Sequence, residues 1–139
     1  MILLDTNVVS EPLRPDPSGR VVEWLDAQAL EAMFLPVIAV AELRYGIEVM
    51  PAGRRREALA ERIEGEVLPL FINRVLPVDV AVTASFAKCM ATARLGGVAA
   101  SVSDGLIAAI AIANNLSVAT RDIAAFEAMG AAVINPWSC

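Results

Sequence analysis

The sequence predicts an α/β fold in which a parallel sheet is covered by helices on both faces. Short apolar runs, typical of buried strands, alternate along the chain with longer apolar segments of helical period. Strands that alternate with helices form βαβ units, which place the strands parallel and the helices on both faces. With 139 residues, we expect a single domain over residues 1–139.

The first half of the chain is predicted to contain two strands, each followed by helices. The opening apolar run stops at Asp5 rather than at Gly or Pro, as expected for a buried strand that leads into a helix. In order, we predict a strand over Met1–Leu4, a short helix over Asn7–Leu13 broken by prolines, a helix from Val21 to about Leu30, a strand over Met33–Leu35, an apolar helix over Val37–Met50 and a longer helix from Arg54 to about Phe71, interrupted by Gly65 and Pro69.

The second half is predicted to add three strands and three helices. Asp79 is a suitable N-cap for the first of these helices, which should stop at Gly96. In order, we predict a strand over Val75–Val78, a helix over Val80–Leu95, a helix from Ser101 to about Asn115, a strand over Leu116–Ala119, a helix over Ile123–Met129 and a strand over Ala131–Ile134.

Composition excludes several kinds of chemistry. The chain has no histidine, which removes histidine-based triads and His-ligated zinc. Its net charge of −5 argues against a broadly basic nucleic-acid binder, so cations would have to come from outside. The hydrophobic fraction of 57% is high, which indicates a covered surface such as a homodimer face or a partner groove.

The chain is expected to be cytoplasmic and not inserted in a membrane. The longest apolar run, Ala32 to Ala41, is only 10 residues and contains Pro36, and no signal peptide opens the sequence. Its two cysteines, Cys89 and Cys139, are expected to be free thiols, with Cys89 packed in the core.

Four acidic residues are candidates for one site. Asp5 and Asp122 follow the carboxyl ends of predicted strands, and Asp104 begins a helix that should start at the same edge. Glu42 lies on a helix with apolar residues one and two turns away, which suggests a carboxylate projecting from an apolar face. In open α/β sheets, the crevice at the carboxyl ends of the strands is where ligands bind.

Three of the four acids also have a simpler structural explanation. For Glu42 the structural alternative is a salt bridge to a nearby arginine, or a carboxylate that reaches water at the edge of the sheet. Ser101 and Asp104 fit the S-x-x-D capping box, and Asp122 is an ordinary helix N-cap. Asn7 and Thr120 are auxiliary candidates that can orient water or a phosphate oxygen, or only cap turns. The three arginines from Arg54 to Arg56 are either a solvated helix face or a phosphate-facing group.

Convergence of the four acids would require cations. At about 4 Å and an effective dielectric near 20, each pair of like charges costs about 4 kcal/mol, far more than one capping bond contributes. Oxygen ligands without His or Cys favour a hard ion, Mg²⁺ or Mn²⁺. Asp5, Glu42, Asp104 and Asp122 are therefore the predicted metal-binding acids.

The chain resembles a PIN domain, in particular the toxin-nuclease branch of the VapC and FitB type. Any one of its motifs is weakly diagnostic, whereas their order and spacing together are specific. The matching segments are Met1–Glu11, Ala41–Arg44, Ser103–Ala109, Val118–Asp122 and Asn135–Trp137.

The resemblance implies an α/β/α sandwich around a five-stranded parallel sheet. It also implies an Mg²⁺- or Mn²⁺-dependent endoribonuclease that acts as the toxin of a type II toxin–antitoxin pair, with a homodimer held by a small DNA-binding antitoxin. The same four acids, Asp5, Glu42, Asp104 and Asp122, match the metal-binding and catalytic acids of that family. We expect hydrolysis to leave a 5′-phosphate and a 3′-hydroxyl.

Two alternative functions remain open at this point. An aspartyl-phosphate phosphatase also places a nucleophilic Asp after its first strand, although it usually has a second Asp where this chain has Asn7. A non-catalytic interaction module would use the apolar surface to bind a partner, and its acids would only cap helices.

Overall fold

The computed structural model describes the whole chain, Met1–Cys139, and confirms the predicted α/β architecture. Five parallel strands form one sheet: β1 (Ile2–Leu4), β2 (Met33–Pro36), β3 (Val75–Leu76), β4 (Ser117–Ala119) and β5 (Val133–Ile134). Their order across the sheet is β3-β2-β1-β4-β5. The helices are α1 (Thr6–Ser10), α2 (Gly19–Asp26), α3 (Val37–Glu48), α4 (Arg54–Arg62), α5 (Val80–Leu95), α6 (Val102–Ala113) and α7 (Ile123–Ala128).

The two faces of the sheet pack against different helices. Alternate residues of a strand point to opposite faces. Accordingly, Leu3 is buried in a core with residues of α5, α6 and α7, whereas Leu4 is buried in a second core with residues of α1, α2 and α3. Both side chains are at most 1% exposed. This burial on both sides explains why β1 consists only of large apolar residues.

The helix predicted from Arg54 to about Phe71, with interruptions at Gly65 and Pro69, consists of three successive helical elements in the structure. Helix α4 ends at Arg62 and is followed by a π-helical turn over Ile63–Val67 and a 3₁₀ turn over Leu68–Phe71. In the π-helical turn, the amide of Leu68 donates to the carbonyl of Ile63. Gly65 is conformationally permissive and Pro69 has no N–H to donate, so the regular α-helical bonding is lost where the sequence contains them.

The expectations for Asp79 and for the cysteines are confirmed. Asp79 caps α5 by accepting a hydrogen bond from the amide of Val82 at 3.0 Å. Cys89 is buried in the core, and both cysteines are free. None of the helices combines the length and the apolar character that crossing a membrane requires.

Helices α5 and α6 approach closely at Gly105, which directly follows Asp104. A Cβ added at Gly105 would lie 2.5 Å from Sδ of Met90 and 2.9 Å from Cε2 of Phe86. No side chain fits there unless Met90 and Phe86 move. The first turn of α6, and with it Asp104, is therefore positioned by a contact that only glycine permits.

We expect Gly105→Ala to destabilise the protein. Overpacking costs about 1 to 3 kcal/mol, and the better helix propensity of Ala returns about 1 kcal/mol, which leaves a net loss of up to about 2 kcal/mol. Urea denaturation measures this difference. The matched control is Gly46→Ala within α3, where the added Cβ would meet no heavy atom within 4 Å; equal destabilisation by both variants would contradict the packing argument.

Candidate active site

The candidate site lies where the connections of the sheet diverge. From the central strand β1 the chain continues to β2 and β3 on one side, then crosses to β4 and β5 on the other. Leu4 is paired with Ala119, so β1 and β4 end side by side. The residues that follow, Asp5 and Thr120, therefore lie at the crevice in which open α/β sheets bind ligands.

Asp5 is a nearly buried carboxylate, with 5% of its surface exposed. Its Oδ1 accepts a hydrogen bond from the amide of Thr6 at 2.7 Å, and its Oδ2 accepts one from the hydroxyl of Thr120 at 2.7 Å. Burial raises the pKa of Asp5 to about 6; these two hydrogen bonds oppose the rise, and the charges of Asp104 and Glu42 add to it. Asp5 is thus an acid with an unfavourable charge at neutral pH.

Thr120 connects Asp5 to Asp122. Its hydroxyl donates to Asp5 and accepts a hydrogen bond from the backbone amide of Asp122 at 3.0 Å. The side chain of Asp122 makes no capping hydrogen bond to α7. The alternative explanation of Asp122 as an ordinary N-cap is therefore wrong.

Asp104 forms only half of the predicted capping box. The Ser101 hydroxyl accepts from the Asp104 amide at 3.0 Å and caps α6, but no hydrogen bond joins the Asp104 carboxylate to the Ser101 amide. Burial raises the pKa of Asp104, the charges of Asp122 and Glu42 raise it further, and the Ser101 hydroxyl lowers it. The influence of Asp122 and Glu42 shows that these acids are close enough to interact through their charges.

Glu42 is held by two hydroxyl groups. Its Oε1 accepts hydrogen bonds from Thr6 at 3.1 Å and from Ser103 at 3.0 Å. No arginine or lysine pairs with it, because its neighbour Arg44 binds Glu64 instead. The salt-bridge explanation of Glu42 is therefore wrong.

The face of α3 from which Glu42 projects is largely exposed, which agrees with the alternative that this carboxylate reaches water. Glu42 itself is exposed, and its apolar neighbours Tyr45 and Val49 are 69% and 60% exposed. The core contacts of α3 come from a different side of the helix. The buried residues of α3 are Ala39, Val40, Leu43 and Ile47.

Thr6 and Ser103 were not among the residues predicted for the site. The only available signal was their position beside Asp5 and Asp104 in sequence. Asn7, an auxiliary candidate, accepts a hydrogen bond at its Oδ1 from the amide of Arg121 at 3.4 Å, which links the ends of β1 and β4. Its role toward water or phosphate stays a prediction.

We expect Ser103→Ala to lower activity while leaving stability nearly unchanged. The change removes one of the two donors that fix Glu42, and loss of a group that orients a metal-ligating side chain costs about 10- to 100-fold. Steady-state cleavage kinetics and thermal unfolding measure the two effects. Ser103→Thr keeps the hydroxyl and should restore activity, whereas full activity of Ser103→Ala would contradict this role.

The negative charge of the four candidate acids is not balanced by lysine or arginine side chains of the protein. The four ion pairs of the structure all involve other acids, namely Glu11, Glu48, Glu64 and Glu66. No three of the chain's acids or cysteines form a ready-made cage for a metal ion. Mg²⁺ does not need such a cage, since it usually binds one or two carboxylates and keeps several waters. The oxygen-only donors and the uncompensated charge therefore fit a hard divalent ion.

The family model described as PIN domain matches residues 2–131. The chain therefore belongs to the PIN domain family. Within it, the chain is of the VapC and FitB type: the VapC ribonuclease Y4jK of Sinorhizobium fredii is 50% identical over 137 residues, covering 99% of this chain and 98% of that protein.

Solved structures show the same relationship. The crystal structure of FitAcB from Neisseria gonorrhoeae contains a chain that is 49% identical, with a TM-score of 0.96 and full coverage of both chains. A structure of FitAB bound to an IR36 DNA fragment contains a chain that is 48% identical, with a TM-score of 0.95, covering 99% of this chain and 96% of that one. The expected five-stranded PIN architecture is confirmed.

Proposed function

We propose that this chain is the toxin of a type II toxin–antitoxin pair and an endoribonuclease that depends on Mg²⁺ or Mn²⁺. One observation of the site carries the metal dependence. The four carboxylates are near enough to repel one another, none of them is paired with a lysine or arginine, and burial together with this repulsion raises the pKa values of Asp5 and Asp104. The ribonuclease activity is supported by the similarity to the VapC ribonuclease of Sinorhizobium fredii.

In this proposal, Asp5, Glu42, Asp104 and Asp122 hold one or two divalent ions. When bound, such an ion stabilises charge on the scissile phosphate and lowers the pKa of water. Thr120 orients the carboxylate of Asp5 through its hydrogen bond to Oδ2. Hydrolysis forms a bond between water oxygen and phosphorus and breaks the bond to the 3′-oxygen, so the products carry a 5′-phosphate and a 3′-hydroxyl.

The two alternatives account less well for the site. An interaction module would use its acids as helix caps, but Asp122 does not cap α7 and the Asp104 carboxylate does not complete its capping box. An aspartyl-phosphate phosphatase usually has a second acid two residues after the nucleophilic Asp. Here that residue is Asn7, whose side chain instead accepts a hydrogen bond from a backbone amide. Family membership also favours the nuclease.

We propose that the protein forms a homodimer and a complex with a small DNA-binding antitoxin. The related FitAB complex bound to DNA supports this assembly. The exposed apolar residues Tyr45, Val49, Val80 and Leu95 are surface that such contacts would cover. Acting on RNA with two free thiols, the protein would function in the cytoplasm.

The test is incubation of purified protein with total cellular RNA, with and without Mn²⁺ and EDTA, followed by mapping of the fragment ends. We expect cleavage only with the metal, and fragments that begin with a 5′-phosphate. Products that end in a 2′,3′-cyclic phosphate, or cleavage that persists in EDTA, would contradict the proposed mechanism.

A further inference from the structure

Two adjoining hollows extend from the active site along the protein surface. The first, about 530 Å³, is lined by the active-site residues Thr6 and Glu42 and also by Arg14 and Arg55. The second, about 370 Å³, is lined by the same two arginines and by Arg62. They share one boundary, because six residues line both: Leu13, Arg14, Pro15, Met50, Arg55 and Leu59. We call the two hollows together the arginine groove.

The arginine groove is positively charged in an otherwise acidic protein. The second hollow has Arg14, Arg55 and Arg62 in its lining and no acid. These are three of the 11 basic residues in a chain of net charge −5. Clustering of like charge in a concave surface focuses the electrostatic potential and attracts anions. The groove is thus a place where an anionic ligand is favoured next to the acidic site.

Arg55 is the residue of this groove that is free to bind a ligand. Arg14 already contacts the buried Glu11 at 3.3 Å, and Arg62 lies 3.9 Å from the exposed Glu66. Arg55 takes part in no ion pair and donates no hydrogen bond within the protein. Its place in the first turn of α4 is also unfavourable for a positive charge, so helix stability does not explain it.

The rest of the lining is suited to a single RNA strand. Leu13, Met50 and Leu59 provide an apolar surface for ribose and base faces. No aromatic side chain lines either hollow, so stacking on aromatic rings does not contribute and phosphate contacts dominate the binding. Binding of this kind weakens steeply as salt is added.

We propose that the arginine groove binds the RNA strand beside the scissile bond, and that Arg55 contacts a phosphate of that strand. The inference rests on the ribonuclease function proposed above and adds the path of the substrate. An RNA strand fits better than an acidic peptide, because the groove opens directly onto Glu42 and Thr6, where the strand must lie to be cut.

Arg55→Gln and Arg54→Gln form the matched pair that tests the proposal. Arg54 is the preceding residue of α4 and carries the same charge, but it lines neither hollow of the groove. We expect Arg55→Gln to weaken binding of a short single-stranded RNA about five- to tenfold, as for loss of one ordinary hydrogen bond at an exposed position. Arg54→Gln should bind like the unaltered protein, and Arg55→Lys should recover most of the loss.

The measurement is fluorescence anisotropy of labelled RNA in EDTA at several salt concentrations, so that it does not depend on cleavage. The slope of log affinity against log salt should fall in magnitude by about 0.7 in Arg55→Gln only, as for one phosphate contact on a single strand. Equal behaviour of Arg55→Gln and Arg54→Gln, or an unchanged slope, would overturn the proposal. So would loss of antitoxin binding with unchanged RNA binding.

Cleavage is measured separately with the same variants. If the unaltered protein binds RNA through Arg55 but cuts none with Mg²⁺ or Mn²⁺, the proposed nuclease function fails while the groove stands. If RNA is cut and Asp104→Asn is inactive, but Arg55→Gln retains its affinity and KM, the groove proposal fails while the nuclease function stands.

Discussion

Asp104→Asn is expected to lower RNA cleavage by about a thousandfold or more, equivalent to about 4 kcal/mol of transition-state stabilisation. The change keeps the size of the side chain and the backbone bond to Ser101 that caps α6. It removes one of the negative charges that would hold the divalent ion. Cleavage of a defined RNA in saturating Mn²⁺, with circular dichroism to verify the fold, measures the effect.

The matched control is Asp16→Asn, which removes the same charge from an exposed position between α1 and α2. That variant should cleave RNA at the unaltered rate. Full activity of Asp104→Asn would end the assignment of this acid to the metal site. Loss of activity together with loss of the folded spectrum would call for Asp104→Glu, which keeps the charge and should retain part of the activity.

Asp5→Asn is expected to abolish cleavage and at the same time to stabilise the metal-free protein. The pKa of Asp5 is raised from 3.8 to about 6, so the folded protein binds its proton more tightly than the unfolded chain does. Below about pH 3.8 the carboxyl is protonated in both the folded and the unfolded state, and its contribution to the stability of the protein is fully present. As the pH rises through about 6 the carboxyl ionises in the folded state as well, and this contribution is lost. The loss amounts to about 3 kcal/mol.

Asparagine carries no charge and therefore removes this penalty. Its side-chain oxygen can still accept a hydrogen bond from the amide of Thr6. Allowing about 1 kcal/mol for a weaker hydrogen bond to Thr120 leaves a gain of about 2 kcal/mol above pH 7. Thermal unfolding in EDTA should show the gain near pH 8 and little difference near pH 4. A variant that is less stable than the unaltered protein at every pH would contradict the argument.

Metal binding should reverse the order of stability of the unaltered protein and Asp5→Asn. An ion that binds only the folded state adds about 2.7 kcal/mol at a concentration of 100 times its dissociation constant. Mn²⁺ should therefore raise the unfolding temperature of the unaltered protein above that of Asp5→Asn. Equal stabilisation of both proteins by Mn²⁺ would place the ion elsewhere.

The fold class and the four acids were accessible from sequence because their signals are local. A strand such as Ile2–Leu4 is recognisable by its continuous apolar residues, and the acid that follows it must lie at the carboxyl end. The exposure of Glu42 was not accessible, because two of its apolar neighbours, Tyr45 and Val49, are left uncovered in this chain. Periodicity shows that a face is apolar but not whether it is buried.

Sequence by itself determined the alternation of strands and helices and the absence of histidine chemistry, and it singled out the four candidate acids. Only the tertiary structure decided that Thr6 and Ser103 hold Glu42 and that Thr120 links Asp5 to Asp122. It also decided that Arg14, which follows α1, lines one groove with Arg55 and Arg62 of α4. The reason is physical: propensity and periodicity act over a few residues, whereas hydroxyl contacts and electrostatic neighbours depend on how distant segments pack.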